Sequence, residues 1–326
     1  MSAVVPAEVV TALRSARHVA LIGHVTPDAD CLGSIGAMWH ALPELGLYPH
    51  VSMPAGSIPR KLDFLVELGC WKPASAAQLG DCDAALVMDT AKDRRVNVHG
   101  KLDALPKAVV INVDHHSSNE KFGRFNWVEG SRSSSCEMVY ELLRALGCQV
   151  TPTVATLLYA GIHSDTQGFS LANTTARSLE VAHDLVRAGV EVGHLCEKLH
   201  RSRSRGEFEL LQIVYRNTRV SPDGRLAWST ISNAEIGRTG CGPSDIDDQV
   251  EIPRSVEGIS IAILFSEANP GKIRMNFRGE RGTAILELAR QFGGGGHAAS
   301  AGAILDGSIE SVVERVIPAA TAFLAI

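Results

Sequence analysis

Three short apolar segments in the first half of this 326-residue chain each run straight into a cluster of acids or histidines. His18–Val25 ends in His24-x-x-x-Asp28-x-Asp30, Ala84–Met88 leads into Asp89, and Ala108–Val113 leads into Asp114-His115-His116. The segments are too short for buried helices and are rich in β-branched residues, so they read as strands covered on both faces. Helical patterns separate them, such as Gly33–Leu42 with Ile35, Met38, Trp39 and Leu42 on one face. This alternation predicts a parallel sheet in an α/β domain. Parallel strands end at one edge, and ligand sites form outside their carboxyl ends. The three clusters are therefore expected to meet.

Carboxylates held close together repel one another and shift their pKa values upward unless cations neutralise them. Oxygen and imidazole donors suit Mn²⁺, Mg²⁺, Fe²⁺, Co²⁺ or Zn²⁺. Six or seven such donors are too many for one transition ion but suit two that share a bridging carboxylate. Two ions about 3.5–4 Å apart generate a hydroxide and stabilise in-line displacement at phosphorus. Asp165, in Gly161-Ile-His-Ser-Asp165-Thr, follows a helical pattern at Thr153–Ile162 and is placed to join them. Each cluster alone has a plainer reading, as turn chemistry, a helix cap or a surface triplet. Four in order, three of them at strand ends, favour a metal site.

Composition narrows the substrate. Hydrophobic residues make up 45% and charged residues 21%, enough for two domains with cores. The formal net charge of −5 gives no general affinity for long polyanions; if nucleic acid is a substrate, local groups or metal ions must offset its charge, which suits a short ligand better than a duplex. Seven cysteines, odd in number and never spaced C-x-x-C, argue against a disulfide framework and a thiolate zinc site. No apolar stretch approaches the roughly 20 residues of a membrane span, and Met1–Arg17 does not read as a signal peptide. A cytoplasmic location is the default expectation.

The pattern changes after the Arg-rich stretch His200–Glu207. Boundaries are expected at 1–200 for the first domain, 201–212 for a linker or hinge, and 213–326 for a second domain. Arg225–Ser232, Ile259–Ser266 and Lys272–Arg278 read as strands and Thr283–Phe292 as a helix, an α+β pattern. The run Gly293–Gly296 permits backbone N–H groups to line an anion-binding concavity, with His297 beside it and Arg278 able to grip a phosphate bidentately. Gly294, Gly295, Gly296, His297 and Arg278 are the candidate substrate contacts. Arg201, Arg203 and Arg205 read equally as an electrostatic guide or as a solvated linker.

As an ordered set, His24-Val-Thr-Pro27-Asp28-Ala-Asp30-Cys-Leu-Gly33-Ser34, Val87-Met-Asp89-Thr90, Val113-Asp114-His115-His116 and Gly161-Ile-His-Ser-Asp165-Thr166 resemble the four motifs of the DHH phosphoesterase superfamily. Gly293-Gly-Gly-Gly-His297-Ala-Ala-Ser-Ala-Gly302 resembles the signature of the DHHA1 domain. The resemblance covers nearly the whole chain and is nearest the oligoribonuclease branch, whose members also dephosphorylate 3′-phosphoadenosine 5′-phosphate (pAp). It implies a DHH domain and a smaller DHHA1 domain across a cleft. Two divalent ions, Mn²⁺ foremost, would be held by His24, Asp28 and Asp89 and by Asp30, Asp89, His115 and Asp165, with Asp89 bridging. Asp114 would orient a ligand histidine, and His116 would face the substrate phosphate. Gly33 and Ser34 would let backbone approach closely and open a helix near that phosphate. The implied reaction is hydrolysis of short oligoribonucleotides or pAp by a metal-bridged hydroxide, with homodimerisation left open. The rivals are a cyclic- or linear-dinucleotide phosphodiesterase, a manganese pyrophosphatase and a non-catalytic nucleotide-binding regulator.

Overall fold

The computed structural model describes residues 5–53, 58–98, 101–200, 203–280, 282–296 and 300–324. It divides into two compact units, Met1–Ser202 and Arg203–Ile326.

In the first unit the strands are β1 (His18–Ile22), β2 (Tyr48–Ser52), β3 (Ala84–Met88), β4 (Val109–Asp114) and β5 (Phe125–Val128). Its helices are α1 (Ala7–Arg14), α2 (Ala29–Ala41), α3 (Asp63–Gly69), α4 (Ala76–Gly80), α5 (Ser135–Leu146), α6 (Pro152–Asp165), α7 (Ala176–Arg187) and α8 (Val192–His200). The sheet order is β2-β1-β3-β4-β5, and every neighbouring pair is parallel. Residues alternate between two buried faces. Val19 and Leu21 of β1 and Leu86 and Met88 of β3 join a core with α2, α5 and α6, while Ala20, Ile22, Ala85 and Val87 pack with Leu79, Val96 and Leu105. Burying one such aliphatic side chain stabilises by about 1.5–3 kcal/mol, which is why the central strands carry apolar residues on both sides. After β1 the chain goes to one side for β2 and returns to the other for β3. The carboxyl ends of β1 and β3 thus flank the point where strand order reverses, where open α/β sheets leave a crevice.

Three helices close over that edge, and their backbones approach closely. A Cβ on Gly33 would lie 2.4 Å from the Leu157 carbonyl oxygen, and one on Gly161 would lie 2.8 Å from Asp30 Oδ1. Gly161 therefore makes room for an acid, because any side chain there would displace the Asp30 carboxylate.

The second unit contains α9 (Arg205–Asn217), β6 (Arg219–Val220), β7 (Leu226–Ile231), α10 (Asn233–Thr239), α11 (Pro243–Asp247), α12 (Glu251–Arg254), β8 (Ile261–Asn269), β9 (Lys272–Gly279), α13 (Ile285–Arg290), β10 (Gly295–Gly296), β11 (Ser300–Asp306) and α14 (Ile309–Leu324). Its sheet is mixed, in the order β10-β11-β9-β8-β7-β6, with β7 and β8 parallel. One face packs on α13 and α14 through Ile263, Phe265, Met275 and Phe277, and the other on α9 through Ala262, Leu264 and Leu210. The stretch expected to be a linker contains the start of α9, whose N-cap Ser204 forms a reciprocal capping box with Glu207. No described helix is long and apolar enough to cross a membrane.

Candidate metal centre

Asp89 holds the middle of the site. It follows β3 with a positive φ of 54°, costly for a residue with a Cβ, and its backbone N–H is tied to the Val113 carbonyl of β4. That conformation is fixed by the flanking strands, and it turns the carboxylate to face two imidazoles at once. Asp89 Oδ2 is 3.3 Å from His24 Nε2, and Oδ1 is 3.6 Å from His115 Nε2. The two oxygens face different sides, Oδ2 towards His24 and Oδ1 towards His115 and, at 3.7 Å, His116 Nδ1, an arrangement suited to a carboxylate that would bridge two cations.

On one side, His24 Nδ1 donates to the Val25 carbonyl at 2.9 Å, which leaves Nε2 as the lone-pair nitrogen towards Asp89 and, at 3.7 Å, Asp28 Oδ2. Asp28 is the N-cap of α2. Its Oδ1 accepts from the N–H groups of Asp30 and Cys31, so Oδ2 is the oxygen left for a ligand. On the other side, His115 Nε2 lies 3.2 Å from Asp165 Oδ2 and 3.9 Å from Asp30 Oδ2. Asp165 is the last residue of α6. Asp30 is fully buried and accepts from the N–H groups of Ser135 (2.6 Å) and Cys136 (2.8 Å), the first two donors of α5. A helix N-terminus carries unpaired N–H groups and partial positive charge, so α5 holds an acid that burial would otherwise penalise.

The electrostatics show what the cluster demands. Burial pushes the Asp30 carboxyl well up, and the charges of Asp89 and Asp165 push it further. Burial likewise raises Asp165 to about 6, against the pull of the neighbouring His115 imidazole. Burial alone would lower His115, but Asp165, Asp30 and Asp89 together raise it to about 10. His24 is raised by the same balance, its burial outweighed by neighbouring anionic groups. Asp28 is lowered, its burial offset by His24 and by backbone N–H groups. The acids thus draw positive charge to the line between His24 and His115. His115 Nε2 is buried yet makes no hydrogen bond among the described residues. An orphaned ring nitrogen facing three carboxylates fits a divalent cation, and the mixed oxygen and imidazole donors fit Mn²⁺, Mg²⁺, Co²⁺, Fe²⁺ or Zn²⁺.

The other expected residues are distributed differently. Asp114 orients His116 rather than the ligand histidine: its Oδ1 accepts from His116 Nδ1 at 2.7 Å. Asn119 Nδ2 donates to Asp114 Oδ2 at 2.6 Å, which braces the pair from behind. Burial would lower His116, but the bond to Asp114 and the charge of Asp89 raise it. Ser34 does not open a helix towards solvent. It lies inside α2, fully buried, with Oγ 3.4 Å from Cys136 Sγ, because the helix begins earlier, at Asp28. Gly33 serves the approach of α2 to α6.

In the second unit Arg278 lies on β9, with Nε donating to Glu251 Oε1 at 3.2 Å and Nη1 to the Phe277 carbonyl. Gly295 and Gly296 form β10, an edge strand paired with Gly302 and Ala301, and Gly296 has a φ of 143° beside a backbone that would meet any Cβ. Gly294 packs against Gly302 and Ala289 backbone oxygens. His297 and Arg201 lie outside the described residues. Arg203 and Arg205 are exposed, with Arg205 Nε 3.9 Å from Glu209.

Ser135 belongs to the Ser133-Ser-Ser run before Glu137, which the sequence places at a helix start with a position near the site open to it; its N–H binds Asp30 and its Oγ is 3.2 Å from Asp89 Oδ1. The serine run before Glu137 carried the signal, since serines cluster at helix starts. Sequence reasoning missed Cys31, grouped with His24 and Asp89. Burial pushes its thiol up to about 12, which keeps it protonated and apolar in behaviour.

Comparison with known proteins places this geometry. The DHH family N-terminal domain matches residues 18–162, and the DHHA1 domain matches residues 229–325. The chain is 31% identical over 315 residues to the bifunctional oligoribonuclease and PAP phosphatase NrnA of Thermus thermophilus, covering 96% of this chain and 91% of that protein. It is 30% identical over 286 residues to the protein of the same description from Bacillus subtilis, covering 86% and 87% respectively. An exopolyphosphatase-related protein from Bacteroides fragilis has the same fold, with a TM-score of 0.88 at 21% identity and coverage of 99% and 98%. RecJ of Thermus thermophilus, solved in complex with Mn²⁺, aligns with a TM-score of 0.56 at 18% identity, over 98% of this chain and 54% of RecJ. The motifs, the fold and these relatives together make the chain a member of the DHH family of phosphoesterases with a C-terminal DHHA1 domain.

Proposed function

We propose that the protein is a metal-dependent phosphoesterase that hydrolyses short oligoribonucleotides, pAp, or both. One observation carries the reading: the Asp89 carboxylate presents one oxygen to His24 and the other to His115. His24, Asp28 and Asp89 would hold one divalent ion, and Asp30, Asp89, His115 and Asp165 a second, with Mn²⁺ the first choice of metal. When bound, such ions supply an activated water and neutralise charge on the phosphate.

The chain's own residues do the rest. The N–H groups of Ser135 and Cys136 at the start of α5 orient the buried Asp30 carboxyl, and the strained backbone at Asp89 fixes its carboxylate before substrate arrives. Asp114 accepts from His116 Nδ1 and favours the imidazolium. The His116 Nε2–H then serves as proton donor to the leaving oxygen, or as a positive group beside the phosphate. In the second unit, Arg278 exchanges its contact with Glu251 for a substrate phosphate, and the Gly294–Gly296 backbone with His297 contributes further donors. A residue that grips one end of a nucleotide favours short chains.

The test is a panel of pAp, di- to pentaribonucleotides, cyclic dinucleotides and pyrophosphate, assayed with Mn²⁺ and with a chelator. Metal-dependent turnover greatest on pAp or the short ribonucleotides is expected. Turnover greatest on cyclic dinucleotides would replace the proposed substrate class, and chelator-resistant turnover would remove the metal.

A further inference from the structure

His163, Cys196 and His200 form a second donor group that shares no residue with the centre described above. Cys196 and His200 stand four residues apart on α8, so one helical turn presents both on the same side. His163 reaches them from α6. The Nε2 atoms of His163 and His200 are 2.8 Å apart, and Cys196 Sγ lies 3.7 Å from His163 Nε2. All three donor atoms lie within 4.8 Å of one another.

A proton shared between two imidazoles would account for the nitrogen pair alone. It does not account for a thiol converging on the same nitrogen. Tetrahedral zinc with Zn–N near 2.0–2.1 Å and Zn–S near 2.3 Å sets ligand separations of about 3.4 Å between nitrogens and about 3.6 Å between nitrogen and sulfur. The Cys196 Sγ–His163 Nε2 distance of 3.7 Å already fits. The nitrogen distance needs to open by about half an ångström, and His200, exposed at the end of α8, has room for that shift. His163 is the fixed member. Its ring stacks on Tyr159 at 5.9 Å and meets the edge of Phe169 at 6.0 Å. A Cβ on Gly168, where φ is 68°, would lie 3.3 Å from His163 Cε1. No described acceptor holds Nδ1, so this cradle sets the ring's orientation.

We propose that His163, Cys196 and His200 bind a zinc-class divalent ion, with water as the fourth ligand. One thiolate and two imidazoles select Zn²⁺ or Co²⁺ over Mn²⁺ and Mg²⁺, which prefer oxygen donors. The Cys196 thiol releases its proton to solvent on binding. The bound ion clips α8 to the last turn of α6, the turn that ends at Asp165. The site goes beyond the phosphoesterase reading and does not depend on it.

The test uses the full chain, stripped of metal, saturated with Mn²⁺ and then titrated with Co²⁺. A sulfur-to-cobalt charge-transfer absorption that saturates at about one equivalent is expected. Cys196→Ser should abolish it, and His200→Ala, an exposed position, should weaken Zn²⁺ competition for it by about 10–100-fold or more. Cys31→Ser should leave it intact. Absence of the band, or a band lost in Cys31→Ser and retained in Cys196→Ser, would overturn the proposal.

Discussion

The candidate metal centre of the first unit and strand β9 of the second handle charge in opposite ways. Along β9, basic side chains are neutralised at short range: Arg274 meets Asp247 at 2.6 Å, Lys272 meets Asp306 at 2.9 Å, and Arg278 meets Glu251 at 3.2 Å. In the first unit, Asp30, Asp89 and Asp165 crowd around one imidazole nitrogen, and none of them pairs with a Lys or Arg among the described residues. Such an arrangement is unfavourable in isolation. It persists because the strand ends, the α5 N-terminus and the close α2–α6 packing over-determine it. Paired charges describe a surface that can exchange partners, whereas unpaired buried acids describe a site that needs a cation.

The sharpest way to break the contrast is Asp89→Ala. It removes the oxygens facing both histidines, and turnover should fall by about 10³-fold or more while far-ultraviolet circular dichroism is unchanged. Wild-type turnover in that variant would end the two-metal reading. Ser135→Ala keeps the N–H bond to Asp30 but loses the hydroxyl contact to Asp89, so metal affinity should drop about 10–100-fold by calorimetric titration. Arg278→Ala should raise KM about tenfold with a smaller loss in kcat, the signature of lost ground-state binding. Glu251→Gln should act in the other sense and lower KM, because Arg278 would no longer leave an ionised partner.

A pH series gives the smallest effect and the clearest sign. In metal-free protein His115 is raised from 6.5 to about 10, so its stabilising contribution is full below pH 6.5 and is lost as pH climbs towards 10. Asp165, raised to about 6, likewise favours its protonated form and loses its contribution between about pH 4 and 6. The Tm of chelated protein should therefore fall from pH 6 to 10 more steeply than that of Mn²⁺-loaded protein, by roughly 2–4 °C for each kcal/mol lost. Parallel Tm curves would show that the acids are not the source of the demand for charge.

The buried strands β1, β3 and β4 were legible because both of their faces are apolar, and that alone placed three clusters at one edge. β2 and β5 were not. Tyr48-Pro-His-Val-Ser and Phe125-Asn-Trp-Val are sheet-edge strands carrying polar residues and a proline, and edge strands need no apolar pattern. The clustering of acids and histidines was visible in the motifs, but the positive φ of Asp89 and the partnership of Asp114 with His116 are tertiary facts with no local signature. The role that the resemblance implied for Ser34 placed it at a helix start, whereas Asp28 caps the helix six residues earlier and Ser34 is buried within it. Cysteine spacing argued against a thiolate site, and it had no way to register Cys196 meeting a histidine from another helix.

The most direct test is anomalous diffraction from crystals soaked in Mn²⁺. Two peaks on opposite sides of the Asp89 carboxylate are predicted, one beside His24 and one beside His115. A single peak, or none between those two histidines, would contradict the account.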